Sequence, residues 1–374
     1  MSRLTTADPH GPGWRRLRRG RGFAYRDADG TPLRDASALA RVKALAIPPA
    51  WTDVWICPHP RGHLQAIGTD TAGRRQYLYH PEFRARQEAA KHDHVLAAAA
   101  ALPRLRGRVQ ADLAGRGLGP DRVLACAARL LDLGFFRIGA PGYERANGSY
   151  GLTTLRRDQV AVHGSRVRFA YRAKSGRERD LTLEDRAVAA VVRALLRRRD
   201  QGPRLFAFRE GRTWTEVDAA RLNAYLREHS GTDLSAKDFR TWHATVLAAV
   251  GLAVSWPSAA LPSAARRRAE ARVVREVAVH LGDTPAVCRA AYLNPRLFEL
   301  YHRGVTIAPA LRALAPGEGN GLPGTGEEVE RAVIDLLGGA GDQPRRASVQ
   351  ASSRSRGQVV TSRSAPRPKR AARA

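Results

Sequence analysis

Arg137, Lys174, Arg240 and Tyr292 are the residues from which a chemistry can be assembled. Three are cations and the fourth is a nucleophile in waiting, a set suited to a phosphate group. Nucleotide-cradling loops and metal-binding carboxylates, which serve phosphate chemistry in other proteins, are missing from the sequence. It has no G-x-x-x-x-G-K-[ST] loop and no carboxylate cluster of the kind that holds divalent metals for phosphoryl transfer. His92, Asp93 and His94 look superficially like ligands, but successive helical residues diverge and no third partner is evident. Any phosphate chemistry therefore rests on protein cations and a protein nucleophile, with no cofactor and no metal. A tyrosine hydroxyl, with a pKa of about 10, is a poor nucleophile at neutral pH. Neighbouring cations would favour its phenolate and neutralise the phosphate. Taken singly, each arginine reads more readily as a surface charge and Tyr292 as a core aromatic.

The elements that must position these groups are legible. Val123, Leu124, Ala127, Leu130 and Leu131 repeat with helical spacing, Gly134 stops that helix, and Arg137 follows in Phe135-Phe136-Arg137-Ile138-Gly139. Residues 160–162, 167–171 and 179–183 read as three short strands. The tight turn Lys174-Ser175-Gly176 joins the last two and puts Lys174 at a hairpin tip. Ser235 with Asp238, and Thr215 with Asp218, have the spacing of helix-opening capping boxes. The first of these places Arg240 in the opening turn of a helix whose apolar face is Phe239, Trp242, Val246 and Ala249. Residues 187–199 are read as helix, and 271–281 as the last long amphipathic helix before Tyr292.

The remainder sets the broad class. The chain has 374 residues, 43% of them hydrophobic, enough for two domains and a tail. Lys and Arg number 63 against 35 Asp and Glu, a formal charge of +28, which favours a polyanionic partner through counterion release. Cys57, Cys126 and Cys288 are sparse and unpaired in spacing, as expected of reduced thiols in the cytoplasm. No apolar run approaches the roughly 18 residues of a membrane span. The fold class expected is α+β: a small antiparallel β domain, then a larger, mostly helical domain with a short three-stranded sheet. The boundaries read as a loose N-terminus at 1–20, the β domain at 21–90, the helical domain at 91–314 and a basic tail at 315–374. Within that tail, 343–374 holds nine Lys or Arg and no acidic residue, a composition expected to be disordered.

The order and settings of these blocks resemble the type IB DNA topoisomerases of the compact bacterial and poxvirus kind, across roughly residues 20–300. Two further strings agree, Gly73-Arg74-Arg75-Gln76-Tyr77-Leu78-Tyr79-His80 and Asn147-Gly148-Ser149-Tyr150-Gly151-Leu152-Thr153-Thr154-Leu155. The resemblance implies that Tyr292 is the nucleophile, forming a 3′-phosphotyrosyl bond while a 5′-hydroxyl leaves. Arg137 and Arg240 would contact non-bridging phosphate oxygens, Lys174 would be the general acid, and Lys237 would assist near the same site. Gln76, Tyr77 and Tyr79 would approach duplex DNA in the major groove, and Tyr143 a phosphate near the cut. It implies further a monomer acting at the nucleoid, relaxing supercoils of either sign without ATP.

One position departs from the pattern. Nine residues before the tyrosine the family usually has a histidine, a third donor to the phosphate; here it is Asp283. An ionised carboxylate there would repel a phosphate, whereas a protonated one could donate to it. Otherwise Asp283 turns away, or His280 or His243 takes its part. A non-catalytic DNA-binding relative is therefore a rival reading. A tyrosine recombinase is a second, disfavoured because Lys237 stands where those enzymes carry the histidine of an H-x-x-R string.

Overall fold

The computed structural model describes residues 3–256, 262–314 and 326–339. The N-terminal part is a five-stranded sheet, built from β1 (Trp14–Arg19), β2 (Gly22–Arg26), β3 (Thr52–Ile56), β4 (Leu64–Thr69) and β5 (Arg75–Tyr79), with α1 (Ala36–Ala44) between β2 and β3. The strand order is β2-β1-β3-β4-β5 and every neighbouring pair is antiparallel. Alternation along β3 and β4 divides the apolar residues between two faces. Val54, Ile56 and Ala66 pack with Val42 and Ile47 on one side, while Trp55, Cys57, Leu64 and Ile67 pack on the other.

Strand β1 lies inside the segment expected to be loose. Its Arg-rich sequence conceals a buried anchor, because the Arg16 guanidinium donates to the carbonyls of Ile47 (3.0 Å), Pro48 (3.0 Å) and Trp51 (2.7 Å) and stacks over Phe23. Three carbonyl acceptors let an arginine sit inside a sheet domain, and composition alone cannot reveal that.

Helix α2 (Pro81–Ala100) leaves the sheet and runs into the larger domain, where Val95, Ala98 and Ala99 are buried. Then come α3 (Leu102–Leu113), α4 (Pro120–Gly134) and α5 (Pro141–Asn147). Helix α4 buries all five residues picked out by their spacing, and Phe135 ends it in a left-handed turn (φ 53°). Strands β6 (Val160–His163), β7 (Arg166–Arg172) and β8 (Glu178–Glu184) form the expected antiparallel three-stranded sheet. Helix α6 (Arg186–Leu196) and the hairpin of β9 (Ala207–Glu210) and β10 (Thr213–Glu216) lead to α7 (Ala219–Ser230). Thr215 belongs to β10, whose pairing with β9 occupies its backbone, so it opens no helix. The cap of α7 is Asp218, whose carboxylate accepts from the Arg221 N–H at 2.7 Å.

Helices α8 (Ala236–Val254), α9 (Ser263–Leu281), α10 (Pro285–Ala291), α11 (Pro295–His302) and α12 (Ala308–Ala313) complete the main body. The capping pair expected at 235 and 238 is present: the Asp238 carboxylate accepts from Ser235 N (2.9 Å) and Oγ (2.7 Å). A final helix, α13 (Glu327–Gly338), falls in the region assigned to the tail. It is no part of a solvated tail, since Val329, Val333, Leu336 and Leu337 form a helical stripe that is buried against the main core. The stretch 343–374 lies outside the described residues.

Candidate active site

Arg137 follows the left-handed turn at Phe135 and sits on an irregular segment pinned by a second one. Leu152 N donates to Arg137 O, and Thr153 N to Ile138 O, both at 2.8 Å. The approach is so close that a Cβ on Gly151 would stand 2.5 Å from Gly139 N and 2.6 Å from Arg137 O. The Gly151-Leu152-Thr153 string is thus the clamp that fixes the backbone of Arg137.

Arg240 is held from inside. Its helix α8 is buried on most of its surface, and the guanidinium donates through Nη1 to Phe135 O and through Nη2 to Leu281 O (2.9 Å). The positive φ at Phe135 presents that carbonyl to the arginine. Burial pushes the Arg240 pKa below its ordinary value, the Arg137 charge adds to that, and Tyr292 and Asp283 oppose it.

Tyr292 stands at the junction between α10 and α11. Thr284 caps α10, the Asn294 side chain caps α11, and Tyr292 N closes α10 on Cys288 O at 3.0 Å. Two side chains from other helices hold this junction: Thr245 Oγ donates to Tyr292 O (3.2 Å) and Lys91 Nζ to Ala291 O (3.2 Å). The Arg240 guanidinium carbon lies 5.1 Å from the centre of the Tyr292 ring. The phenol ring therefore faces a cation.

Asp283 does not turn away. Arg137 Nη2 donates to its two carboxylate oxygens at 2.7 and 2.8 Å, and Arg240 Nη2 reaches Oδ2 at 3.0 Å. Two guanidinium groups thus converge on one carboxylate beside the tyrosine. His243 does not take the place of the missing histidine: its Nε2 lies 3.3 Å from Asp132 and its Nδ1 3.9 Å from Glu330. His280 is exposed and stacks on Phe135 with ring centres 6.3 Å apart.

Lys174 is not drawn into this cluster. It sits at the β7–β8 tip, where Ser175 takes a left-handed conformation (φ 64°), and it is exposed. Lys237 is also exposed, and the pKa of nearby Lys91 is lowered chiefly by burial, opposed by Glu88 and, least of the three, helped by the Lys237 charge. On the N-terminal sheet Tyr77 and Tyr79 are exposed and stack with ring centres 6.2 Å apart. Gln76, on the opposite face of β5, is half-buried and donates to Asp70 at 2.9 Å. Tyr143 on α5 is 63% exposed.

The sequence reading missed four contributors: Lys91, Thr245, Arg177 and Arg179. Arg179 donates to Gly134 O (3.0 Å) and His280 O (3.3 Å), and burial lowers its pKa. Arg177 Nη1 lies 3.4 Å from the Asp283 carbonyl oxygen. Arg177 and Arg179 are two apart just past the Lys174 turn and so share one face of the extended chain, which could have flagged both; nothing local marks Lys91 or Thr245. Among the described residues no group of three His, Cys, Asp or Glu side chains is placed to hold a metal ion. His92 is buried and His94 Nε2 lies 3.3 Å from Asp238. All three cysteines are free and buried, and no described helix is long and apolar enough to cross a membrane.

Comparison with known proteins bears on this geometry. Residues 22–70 match the family described as the N-terminal domain of bacterial DNA topoisomerase IB. Residues 80–299, more than half of the chain, match the catalytic core of eukaryotic DNA topoisomerase I. A relative from Acanthamoeba polyphaga mimivirus, a DNA topoisomerase 1B, is 27% identical over 294 residues, covering 75% of this chain and 84% of its own. The second match takes in Arg137, Lys174, Arg240, Asp283 and Tyr292, and the chain belongs to the type IB DNA topoisomerase family.

Proposed function

We propose that the chain relaxes positive and negative DNA supercoils, cutting and resealing one strand through Tyr292 without ATP or metal. The observation that carries this reading is the convergence of Arg137 and Arg240 on a single anion, within 5.1 Å of the Tyr292 ring for the second arginine. A phosphodiester has the charge and the paired oxygens that such guanidinium forks bind.

The phenolic oxygen of Tyr292 gives its proton to solvent water and attacks the phosphorus. A bond forms to the 3′-phosphate and the bond to the 5′-oxygen breaks. Arg137 and Arg240 stabilise the charge on the non-bridging oxygens in the pentacoordinate transition state. Lys174 gives a proton to the leaving 5′-oxygen; its exposed place on the hairpin tip means that it meets the strand only once DNA is bound. Lys237 assists nearby. The covalent bond conserves the phosphodiester energy, so the 5′-hydroxyl returns by the reverse step after the free end has rotated. Tyr77 and Tyr79 offer the major groove an exposed aromatic face, Gln76 a polar one, and Tyr143 a contact near the cut. The protein acts as a monomer at the nucleoid in the cytoplasm.

The test is incubation of the protein with negatively supercoiled plasmid in EDTA without ATP, beside Tyr292→Phe. Relaxation by the native protein and none by the variant is expected. Binding with an unchanged linking number would instead favour a non-catalytic DNA-binding relative, a reading that the Asp283 carboxylate standing on both arginines supports.

A further inference from the structure

We infer that Asp283 is the resident occupant of the phosphate site, a specificity-determining side chain that a docked DNA strand displaces and an isolated phosphate does not. The inference rests on the reading of Arg137 and Arg240 as phosphate ligands and adds how access to them is controlled.

The donors show the competition. Arg240 commits Nη1 to Phe135 O, and its Nη2 donates both to Leu281 O and to Asp283 Oδ2. An Nη2 group has two hydrogens, so none remains there for a phosphate while Asp283 is in place. Arg137 spends its Nη2 on both carboxylate oxygens, at 2.7 and 2.8 Å. A carboxylate presents two oxygens to a guanidinium much as a phosphodiester presents its two non-bridging oxygens. It is also like-charged, so both anions cannot share the site without a repulsion that weakens binding.

The way out is equally visible. The Asp283 backbone is fixed, with its N–H on Ala278 O at 3.0 Å just after the left-handed Gly282 (φ 65°). Only the side chain needs to rotate. Arg177, with Nη1 3.4 Å from the Asp283 carbonyl oxygen and carried on the hairpin of Lys174, stands ready to receive the carboxylate. The site keeps a net positive charge throughout, two guanidinium groups against one carboxylate, so it attracts an anion without being open to every one. A phosphodiester in duplex DNA arrives with the contacts proposed for Gln76, Tyr77, Tyr79 and Tyr143 behind it; inorganic phosphate arrives with none.

Two measurements on full-length protein test this. In a Tyr292→Phe background, where no cutting occurs, the affinity for a fluorescein-labelled duplex and for inorganic phosphate as its competitor is compared with and without Asp283→Asn. In the native background, single-turnover cleavage of the same duplex is compared for the native protein, Asp283→Asn and Asp283→Ala. The amide should tighten duplex binding, make inorganic phosphate a stronger competitor, and speed cleavage by about tenfold. The alanine variant, checked for folding by its melting curve, should also exceed the native rate. If both variants cleave no faster than the native protein and Asp283→Asn binds no tighter, the carboxylate only positions the arginines and the inference falls. If no protein cleaves but Asp283→Asn still binds duplex and phosphate more tightly, the occupant stands and the catalytic reading fails instead. If none cleaves and binding is unchanged, both fall.

Discussion

Two clusters of arginine and carboxylate lie on either side of Phe135, and they are built in different ratios. Beside Tyr292, two guanidinium groups, Arg137 and Arg240, share one carboxylate, Asp283. Behind α4, Arg106 forks onto two carboxylates, Asp132 (2.9 Å for both nitrogens) and Glu330 (2.7 and 2.9 Å), with His243 at 3.3 Å from Asp132 and Arg129 at 3.4 Å. The second cluster is closed: the Asp132 and Glu330 side chains are 8% and 5% exposed. The first is open to solvent at Arg137 and has an excess of donors. A cluster with matched partners is a fastening, and one with surplus cations is a receptor. Phe135 connects them, its carbonyl accepting from Arg240 and its ring lying 5.9 Å from His243.

The contrast breaks most directly at Arg106. Replacing it with methionine leaves two buried carboxylates with too few cations, and α13 loses its polar anchor at Glu330. A loss of about 3–5 kcal/mol is expected, measured by urea denaturation. Arg137→Ala should do the opposite. It should change the urea midpoint little, because the site is partly exposed, while single-turnover cleavage falls by about 10²–10³. An Arg137→Ala protein that melted like Arg106→Met would erase the distinction between fastening and receptor.

Acid separates the Arg106 cluster from the rest of the molecule. Burial pushes the Asp132 carboxyl up, but His243, 3.3 Å away, and the forked Arg106 guanidinium together outweigh that and hold it far below the usual carboxylate range. A depressed carboxylate stabilises the fold above its unfolded pKa and gives that up only as the pH falls through the folded value, so this cluster survives mild acid. His92 behaves differently. Burial, helped by the Lys91 charge and opposed by Glu88 and Asp93, lowers its pKa from 6.5 to about 4, and its Nε2 is buried without a hydrogen bond. Its neutral form is the folded one, so its contribution is intact above pH 6.5 and declines as the pH falls from 6.5 towards 4. The loss is on the order of 2 kcal/mol. His92→Gln should remove most of the slope of melting temperature against pH in that window. An unchanged slope would place the acid-sensitive group elsewhere.

Much of the receptor was legible because its parts advertise themselves locally. Lys-Ser-Gly between alternating strands makes the Lys174 tip, Ser235 and Asp238 cap the Arg240 helix, and Gly134 ends the helix before Arg137. The identity of Asp283 could be read, but its pairing could not, since Arg137 lies 146 residues away in sequence. Lys91 was silent for the same reason: its acceptor is 200 residues distant, and on α2 it reads as one more solvated charge. The fastening was hidden twice over. Glu330 belongs to a helix that follows the last long amphipathic segment, and Arg106 shows no local sign of its two distant acids. Composition also misjudged β1, where buried Arg16 looks like its exposed neighbours.

The smallest effect is the sharpest control, because it holds geometry constant and changes only burial. On the outer face of the β7–β8 hairpin Arg168 forks onto Asp180, with Nε 2.9 Å from Oδ1 and Nη2 2.5 Å from Oδ2. The contact copies that of Arg106 on Asp132, yet the two side chains are 58% and 57% exposed. Water already solvates both charges, salt screens them, and ordering two long side chains costs entropy that offsets the attraction. Arg168→Ala, Asp180→Ala and the double variant should therefore share the native urea midpoint within error, at low salt as well as high. A clear coupling between the two positions would mean that fork geometry alone fastens the fold. The Arg106 cluster would then owe its strength to its shape, and the ratio of cations to carboxylates would no longer tell fastening from receptor.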